Sequence, residues 1–411
     1  MVRKNGGFIG TDGLDAPDPP TGVTGSGSDE SASVSFTAPT DTGTSDITGF
    51  VVQVSTDDTA YSAGSATGTS SPITVSSLTN DTAVTFKVWA INAFGTSAPS
   101  NASASFTPAA ALALFGGFGW GNLQVDYISF GGSLGNATDF GDYSINSRYL
   151  GGFSSSTRSV SFGGWIGSAF NYTNTMLYTT FGTTGSFSDF GDMTPTYGRV
   201  LPSGLSSSTR GVSCMGGTGE ASDDGFVKTN IFDYVTIAST GNATDFGDAT
   251  FTGYNTGALS SPTRGVIGGG SSSNDADTKN IIQYITIAST GNASDFGDLT
   301  ASKANLGGAS NDVRGLFMGG GDGGDENVIE YITIASTGNA TDFGDTIGIA
   351  TSGQAVASLS RALCPYTTGT FDQLNYVNIA STGNALDFGD LATSTNDGGG
   401  FATSSAHGGL A

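Results

Sequence analysis

The tetrapeptide Asp-Phe-Gly-Asp occurs six times in this chain of 411 residues. Its copies begin 45 to 56 residues apart, at positions 139, 189, 245, 295, 342 and 387. Four copies end a longer unit of nearly constant text, such as YITIASTGNATDFGD at 331–345. Self-similarity at a period of about 40–50 residues indicates one supersecondary unit stacked on copies of itself. The repeats also weigh against an enzyme, because chemistry needs one special site and this chain writes its most recognisable residues six times.

Each repeat has the pattern of four short strands joined by tight turns. In residues 250–298 we predict these strands, a to d in chain order, at 255–260, 265–270, 281–288 and 293–298. Four such strands form one twisted antiparallel sheet. The first repeat lacks strand a, and the last residues of the chain align with that strand. We therefore expect the C-terminus to complete the first sheet, which would leave no exposed sheet edge.

The order of residues within a repeat is similar to that of a kelch propeller. An arginine leads into a glycine-ended strand, as in RGVIGGG at 264–270, and a tyrosine-containing strand and an aromatic residue follow. The segment between the arginine and the glycines is shorter than in kelch repeats, and Phe stands in the place of the usual Trp. The resemblance implies a six-bladed kelch-like β-propeller over residues 109–411. The repeat text also resembles structural proteins of marine bacteriophages.

The N-terminal quarter has alternating strands of a different kind. Residues 84–100, VTFKVWAINAFGTSAPS, resemble the end of a fibronectin type III domain, which Pro19-Pro20 would open. Phe36 stands where that family usually has Trp, and Val84 where it has a corner Tyr. The sequence therefore predicts an all-β chain with a fibronectin type III-like β-sandwich at 18–108. Residues 1–17 are either a frayed tail or a docking peptide that becomes ordered against a partner.

One arginine recurs at the same place in five repeats. We predict that each anchors the neighbouring sheet, by hydrogen bonds to an Asp-Phe-Gly-Asp carboxylate or to loop carbonyls. Phosphate binding is the alternative, which the acidic surroundings disfavour. These repeat anchors are Arg158, Arg210, Arg264, Arg314 and Arg361.

The connections between strands b and c differ in every repeat, whereas the c–d turns are nearly constant. Because function concentrates on variable loops carried by a rigid scaffold, we predict the binding surface there. Its aromatic side chains suit sugars or partner proteins, and its carboxylates either hold calcium or are simply solvated. The candidate binding residues are Trp120, Trp165, Phe170, Tyr172, Asp223, Asp224, Asp275, Asp277, Asp322 and Asp325.

Charge and composition narrow the function further. With 13 Lys plus Arg against 36 Asp plus Glu, the net charge of −23 argues against nucleic acid and anionic membranes. One His and two Cys, Cys214 and Cys364, assemble no nucleophile–base set and no zinc site. We expect no cofactor, calcium being the one candidate, and two buried free thiols. The N-terminus lacks the apolar core of a secretory signal.

These features lead to an expected function. We expect a non-enzymatic structural or adhesion protein of a bacteriophage virion, such as a tail fibre or a capsid or tail decoration. It would bind other virion proteins through its N-terminal segment, and a host-surface glycan or protein through the variable loops, as a homo-oligomer in the particle. A secreted bacterial adhesin or surface-filament subunit is the alternative, and a glycan-active propeller enzyme is a third class.

Overall fold

A computed structural model describes most of the chain, and all of its regular elements are strands or bridges. The described residues are 15–27, 30–117, 121–131, 134–167, 171–194, 198–222, 225–272, 277–321, 326–350, 353–366, 371–395 and 400–406. They contain no helix, and so no helix among them could cross a bilayer. The chain divides into two compact units, the first ending at Ala110 and the second spanning Ala111–Leu410.

The N-terminal unit is a sandwich of two sheets, one of three strands and one of four. Side chains along the sixth strand alternate between half-buried and buried, as a strand with one face in a core requires. Phe36, which replaces the family's Trp, packs against Phe50 with ring centroids 4.8 Å apart. The strands are β1 Thr21–Ser26, β2 Ser31–Thr37, β3 Ile47–Ser55, β4 Ser62–Gly68, β5 Ile73–Ser76, β6 Thr85–Asn92 and β7 Gly95–Thr96. Their order is β1-β2-β5 in one sheet and β4-β3-β6-β7 in the other.

A serine at every third position fixes the last segment of this unit beside β6. The hydroxyls of Ser97, Ser100 and Ser103 accept hydrogen bonds from the β6 amides of Ala90, Val88 and Phe86, at 2.9 to 3.0 Å. The three serine amides donate in turn to the carbonyls of the same β6 residues. The serines of the family-like ending therefore satisfy the backbone groups of β6 along its free edge.

The C-terminal unit contains the repeats. Its first strands are β8 Leu112–Gly116, β9 Gln124–Ser129, β10 Thr138–Asp142, β11 Ser147–Arg148, β12 Gly151–Ser154, β13 Arg158–Phe162, β14 Trp165–Ile166, β15 Asn171–Tyr172, β16 Thr175–Thr180, β17 Ser188–Asp192, β18 Ser203–Ser206, β19 Arg210–Cys214, β20 Gly217–Ser222 and β21 Gly225–Thr236. The remaining strands are β22 Thr244–Gly253, β23 Gly257–Ser260, β24 Arg264–Gly268, β25 Lys279–Thr286, β26 Ser294–Lys303, β27 Gly307–Ser310, β28 Arg314–Met318, β29 Val328–Thr333, β30 Thr341–Asp345, β31 Val356–Ala357, β32 Arg361–Tyr366, β33 Phe371–Asn378, β34 Leu386–Thr395 and β35 Phe401–Ser404.

Each repeat forms an antiparallel sheet whose strands run in the order a-b-c-d. Sheet 1 is β35-β8-β9-β10, so the C-terminal strand supplies its strand a, with Phe401 opposite Gly116. The other five are β12-β13-β16-β17, β18-β19-β21-β22, β23-β24-β25-β26, β27-β28-β29-β30 and β31-β32-β33-β34, here sheets 2 to 6. Strand β20 pairs additionally with β21, and β11-β14-β15 form a separate small sheet.

Consecutive sheets pack face to face, and the packing returns to its start. Strand a of each sheet contacts strand a of the next, and β35 contacts both β31 and β12. Among the described residues of this unit, the buried apolar side chains form six clusters, each combining residues of two neighbouring sheets, including sheets 6 and 1. The a strands converge on a central cavity of about 120 Å³, lined mainly by Gly, Ala and Ser. Strand c is buried on both faces because each sheet lies between two others.

The Asp-Phe-Gly-Asp motif joins each outer strand to the turn of the following sheet. Its phenylalanine is buried at every copy. Between sheets 4 and 5, the amide of Gly338 donates to the carbonyl of Phe296, that of Ala340 donates to Asp298, and the amide of Asp298 donates to Asn339 Oδ1. We call this set of bonds the inter-sheet clasp. Equivalent amide bonds between sheets 6 and 1 run from Ala137 to Asp390 and from Asp390 to Asn136 Oδ1.

Candidate functional site

The variable connections lie together at one end of the sheets. At four places the d–a connection forms a bridge with the following b–c connection, which puts both kinds of segment on the same edge. These bridged pairs are Arg148 with Trp165, Val200 with Gly217, Tyr254 with Ser271 and Ala304 with Gly321. We call this end the loop rim, and the opposite end, which carries the a–b and c–d turns, the turn rim.

The loop rim of sheet 2 carries a row of large side chains. In the small sheet β11-β14-β15, Arg148 is paired with Trp165, and Trp165 is paired with Tyr172. The register therefore places the three side chains next to each other on one face. All three are half-buried, so each keeps part of its surface in solvent. We call Arg148, Trp165 and Tyr172 the aromatic row.

Neighbouring contacts fix the aromatic row in place. The guanidinium carbon of Arg148 lies 4.3 Å from the centre of the Trp165 ring and 4.8 Å from that of Tyr149. The rings of Tyr149 and Trp165 stack with centroids 6.3 Å apart and planes 24° apart. Partial burial raises the pKa of the Tyr172 hydroxyl. The row is thus a half-buried set of large side chains, and the contacts of Arg148 and Tyr149 with the Trp165 ring hold it in place.

Of the other candidate residues in the variable loops, the structure describes Asp277 alone. Asp277 forms an ion pair of 2.6 Å with Lys279 and accepts a hydrogen bond from the Ser272 hydroxyl. Among the described residues, no group of three or more His, Cys, Asp or Glu side chains could hold a metal ion. The remaining candidates lie outside the described residues; they are Trp120, Phe170, Asp223, Asp224, Asp275, Asp322 and Asp325.

The five repeated arginines lie at the turn rim and bind carbonyls. Arg264 Nη1 donates to the carbonyl oxygen of Ile334 in the next sheet at 2.8 Å, and its guanidinium carbon lies 4.5 Å from the Tyr284 ring centre. The bonds of the others are Arg158 to Ile237, Arg210 to Ile287, Arg314 to Ile379 and Arg361 to Phe130. Within the described ranges, the structure shows these carbonyl partners and no ion pair between the five arginines and a carboxylate. A carbonyl offers a fixed acceptor, whereas the first aspartate of the motif is exposed to solvent at every copy.

Two more basic side chains are buried between sheets. Arg199 pairs with Asp233 and donates to the carbonyls of Met215 and Ile231, and both members of the pair are fully buried. Lys303 Nζ lies 3.1 Å from Glu330 Oε1, and the side chain of Lys303 is 1% exposed. With the five repeat anchors, seven of the ten basic residues after Ala109 thus serve packing. The others are Arg148, Lys228 and Lys279, and Arg148 lies in the aromatic row.

The thiols are unsuited to nucleophilic chemistry. Cys214 and Cys364 are both free and buried. Burial raises the pKa of the Cys364 thiol to about 12 and raises that of Cys214 further. A thiol with such a pKa is protonated at neutral pH, and the thiolate is the reactive form.

Comparison with known proteins accounts for the N-terminal unit. Residues 18–106 match the fibronectin type III domain. This part of the chain is a fibronectin type III domain. A solved structure with a similar part is a crystal structure of domains from titin, at 33% sequence identity over 23% of this chain and 33% of that chain, with a TM-score of 0.23. The match thus spans about a third of the titin chain. A comparison with curated proteins finds no similar sequence.

Proposed function

We propose that this protein is a non-enzymatic component of a bacteriophage particle that presents its loop rim to a binding partner. In this proposal the C-terminal unit is a six-bladed kelch-like β-propeller, each sheet being one blade. The cycle of strand a contacts and the six apolar clusters between neighbouring sheets support that architecture. The partner is a host-surface molecule or a neighbouring subunit.

The observation that carries the proposal is a difference between the two rims: the turn rim has the same residues in most repeats, and the loop rim differs from repeat to repeat. The turn rim is used by the repeated arginines and the inter-sheet clasps, so its most recurrent residues serve packing. The loop rim varies between blades, and one blade carries the half-exposed aromatic row. A scaffold with constant packing residues at one rim and variable loops at the other is suited to presenting those loops to a binding partner.

The N-terminal part has the role of attachment in this proposal. The fibronectin type III domain would act as a spacer, and residues 1–17 would dock on other virion proteins. Deleting residues 1–14, which leaves the hydrogen bonds of Asp15 with Thr44 and Asn92 in place, should then remove the protein from assembled particles without lowering its melting temperature. Normal incorporation of the shortened protein would contradict this role.

The particle assignment is tested by locating the protein. Particles from a lysate are banded by density and labelled with gold-conjugated antibodies against the C-terminal unit. The proposal predicts gold on the particles in electron micrographs. Antigen in the envelope fraction of uninfected cells, with bare particles, would favour the secreted adhesin instead. Turnover of an oligosaccharide by the purified protein would contradict a non-enzymatic role.

A further inference from the structure

We infer that the aromatic row is a binding site for a neutral glycan. The inference rests on the proposed function and deepens it, because it names the ligand chemistry of the loop rim. Four observations carry it. Among the four blades with the same pairing, one has the row. The row has a defined length, its side chains are held in place, and the protein that carries it is acidic.

The first observation is that the fold does not require these side chains. The position of Trp165 is filled by Gly217, Ser271 and Gly321 in the other three bridged pairs, and the bridge forms there all the same. The position of Arg148 is filled by Val200, Tyr254 and Ala304. The bridge therefore forms without a tryptophan or an arginine, so these two side chains of sheet 2 are not needed for the pairing. Partly exposed aromatic side chains that the pairing does not need indicate binding.

The second observation is the geometry of the row. Its three residues are cross-strand neighbours on three adjacent strands. Adjacent strands are about 4.8 Å apart, so the row is about 10 Å long. Two linked hexopyranose rings have a similar length, and their C–H faces pack on aromatic rings.

The third observation separates a glycan from a protein partner. Even a fully exposed aromatic side chain offers only about 150–250 Å², and those of the row are half-buried, whereas a stable protein interface buries about 800 Å² on each partner. The row alone is smaller than that. Stacking with Tyr149 and Arg148 holds the Trp165 ring fixed, which lowers the entropic cost of binding a small flexible chain.

The fourth observation concerns charge. The net charge of −23 repels polyanions, and the guanidinium of Arg148 faces the rings of Trp165 and Tyr149. An acidic polysaccharide would meet this repulsion along its length. A neutral glycan would not.

The experiment is calorimetric titration of the full chain with neutral hexaoses of glucose, mannose and N-acetylglucosamine, and with a hexauronate. At least one neutral hexaose should bind, and Trp165→Ala should weaken its binding by about tenfold or more. Trp165→Phe, which keeps a flat ring, should lose less. Trp89→Ala, in the other unit, is the matched control and should bind as the unchanged chain does. If Trp165→Ala has an altered melting temperature, Tyr172→Ala replaces it.

Three results would overturn the inference: no binding of any neutral hexaose, binding that the aromatic-row variants leave unchanged, or binding of the hexauronate alone. None of these would remove the protein from the particle, because gold labelling measures its location independently of ligand. Failure of the inference and failure of the proposed function are thus distinguishable.

Discussion

At the scale of single residues, Gly297 shows why the motif contains glycine. Its φ is +149°, and a Cβ there would lie 2.5 Å from the carbonyl oxygen of Gly338 in the next sheet. Gly291 has a φ of +156°, but a Cβ there would meet nothing within 4 Å. The two glycines share a backbone conformation and differ in the space around them.

This pair gives a matched prediction. Gly297→Ala should lower the free energy of unfolding by about 1–3 kcal/mol more than Gly291→Ala does, because only the first forces two sheets apart. Denaturant titration of both variants measures the difference. Equal losses would mean that the clasp does not need a close approach.

The repeat anchors allow a second prediction. Arg264→Ala removes the hydrogen bond to the Ile334 carbonyl and the contact with the Tyr284 ring. The expected loss is about 1–3 kcal/mol, with a lower melting temperature. Arg264→Lys keeps the positive charge, and its melting temperature should lie between those of Arg264→Ala and the unchanged chain. An unchanged melting temperature for Arg264→Ala would remove the anchoring role.

The cysteines give a prediction for pH. Burial raises the pKa of Cys364 from its ordinary value of 9.0 to about 12, so the folded state favours the protonated thiol. Its contribution to stability is complete below pH about 9 and is lost as pH rises towards about 12. A thiol reagent at pH 8 should therefore label neither cysteine in the folded protein and both in denaturant. Labelling of the folded protein at pH 8 would show that the thiols are accessible.

At the scale of elements, the a strands are joined by a series of serine hydroxyls. Ser206 donates to the carbonyl of Ser154, Ser260 to that of Ser206, and Ser310 to that of Ser260, at 2.7 to 2.8 Å. In sheet 6 the equivalent position is Ala357, which is buried and has no hydroxyl. The series is therefore interrupted at strand β31.

Restoring the hydroxyl should stabilise the unit. Ala357→Ser adds a donor toward the Ser310 carbonyl and should raise the free energy of unfolding by about 0.5–1.5 kcal/mol. Ser260→Ala is the reverse change at an equivalent position and should lower it by a similar amount. A destabilised Ala357→Ser protein alongside a destabilised Ser260→Ala would show that sheet 6 has a different spacing.

The strands of the repeats were predictable, but their ends were not. Strand b was predicted at 265–270 and is β24 Arg264–Gly268, because Gly269 and Gly270 have φ of +67° and +100° and leave the ladder. Strand d was predicted to end at Asp298, but β26 continues to Lys303 because Lys303 pairs with Lys279 beyond a bulge. Repetition reveals which segments are strands, whereas a bulge leaves no mark in the pattern.

The candidate site was only half visible in the sequence. Trp165 and Tyr172 stood out as aromatic residues in a variable loop, but the loop was not expected to form strands. Strands of two residues are too short to show an alternating pattern. Arg148 and Tyr149 were missed because they belong to a d–a connection, and only the pairing of β11 with β14 brings them to Trp165. The sequence offered one signal for this part of the site, which is that Arg148 is an isolated basic residue in an acidic repeat.

At the scale of the whole molecule, the C-terminal unit depends on residues that are far apart in the chain. Strand β35 pairs with β8, and Ser405 and Leu112 exchange hydrogen bonds across the same junction. The arginine of sheet 6, Arg361, donates to the carbonyl of Phe130 in sheet 1. Without β35, strand β8 would become a free edge with unpaired backbone groups. Closure is thus the property on which the constant scaffold, and the loop rim it carries, depends.

Hydrogen exchange tests this closure most directly, by comparing the full chain with one that ends at Thr395 and so lacks β35. The closed arrangement predicts slow exchange of the β8 amides that face β35 in the full chain. In the shortened chain those amides should exchange rapidly, with loss of protection spreading into sheets 6 and 2. Equal protection of β8 in the two proteins would contradict a cycle of six sheets closed by the C-terminal strand.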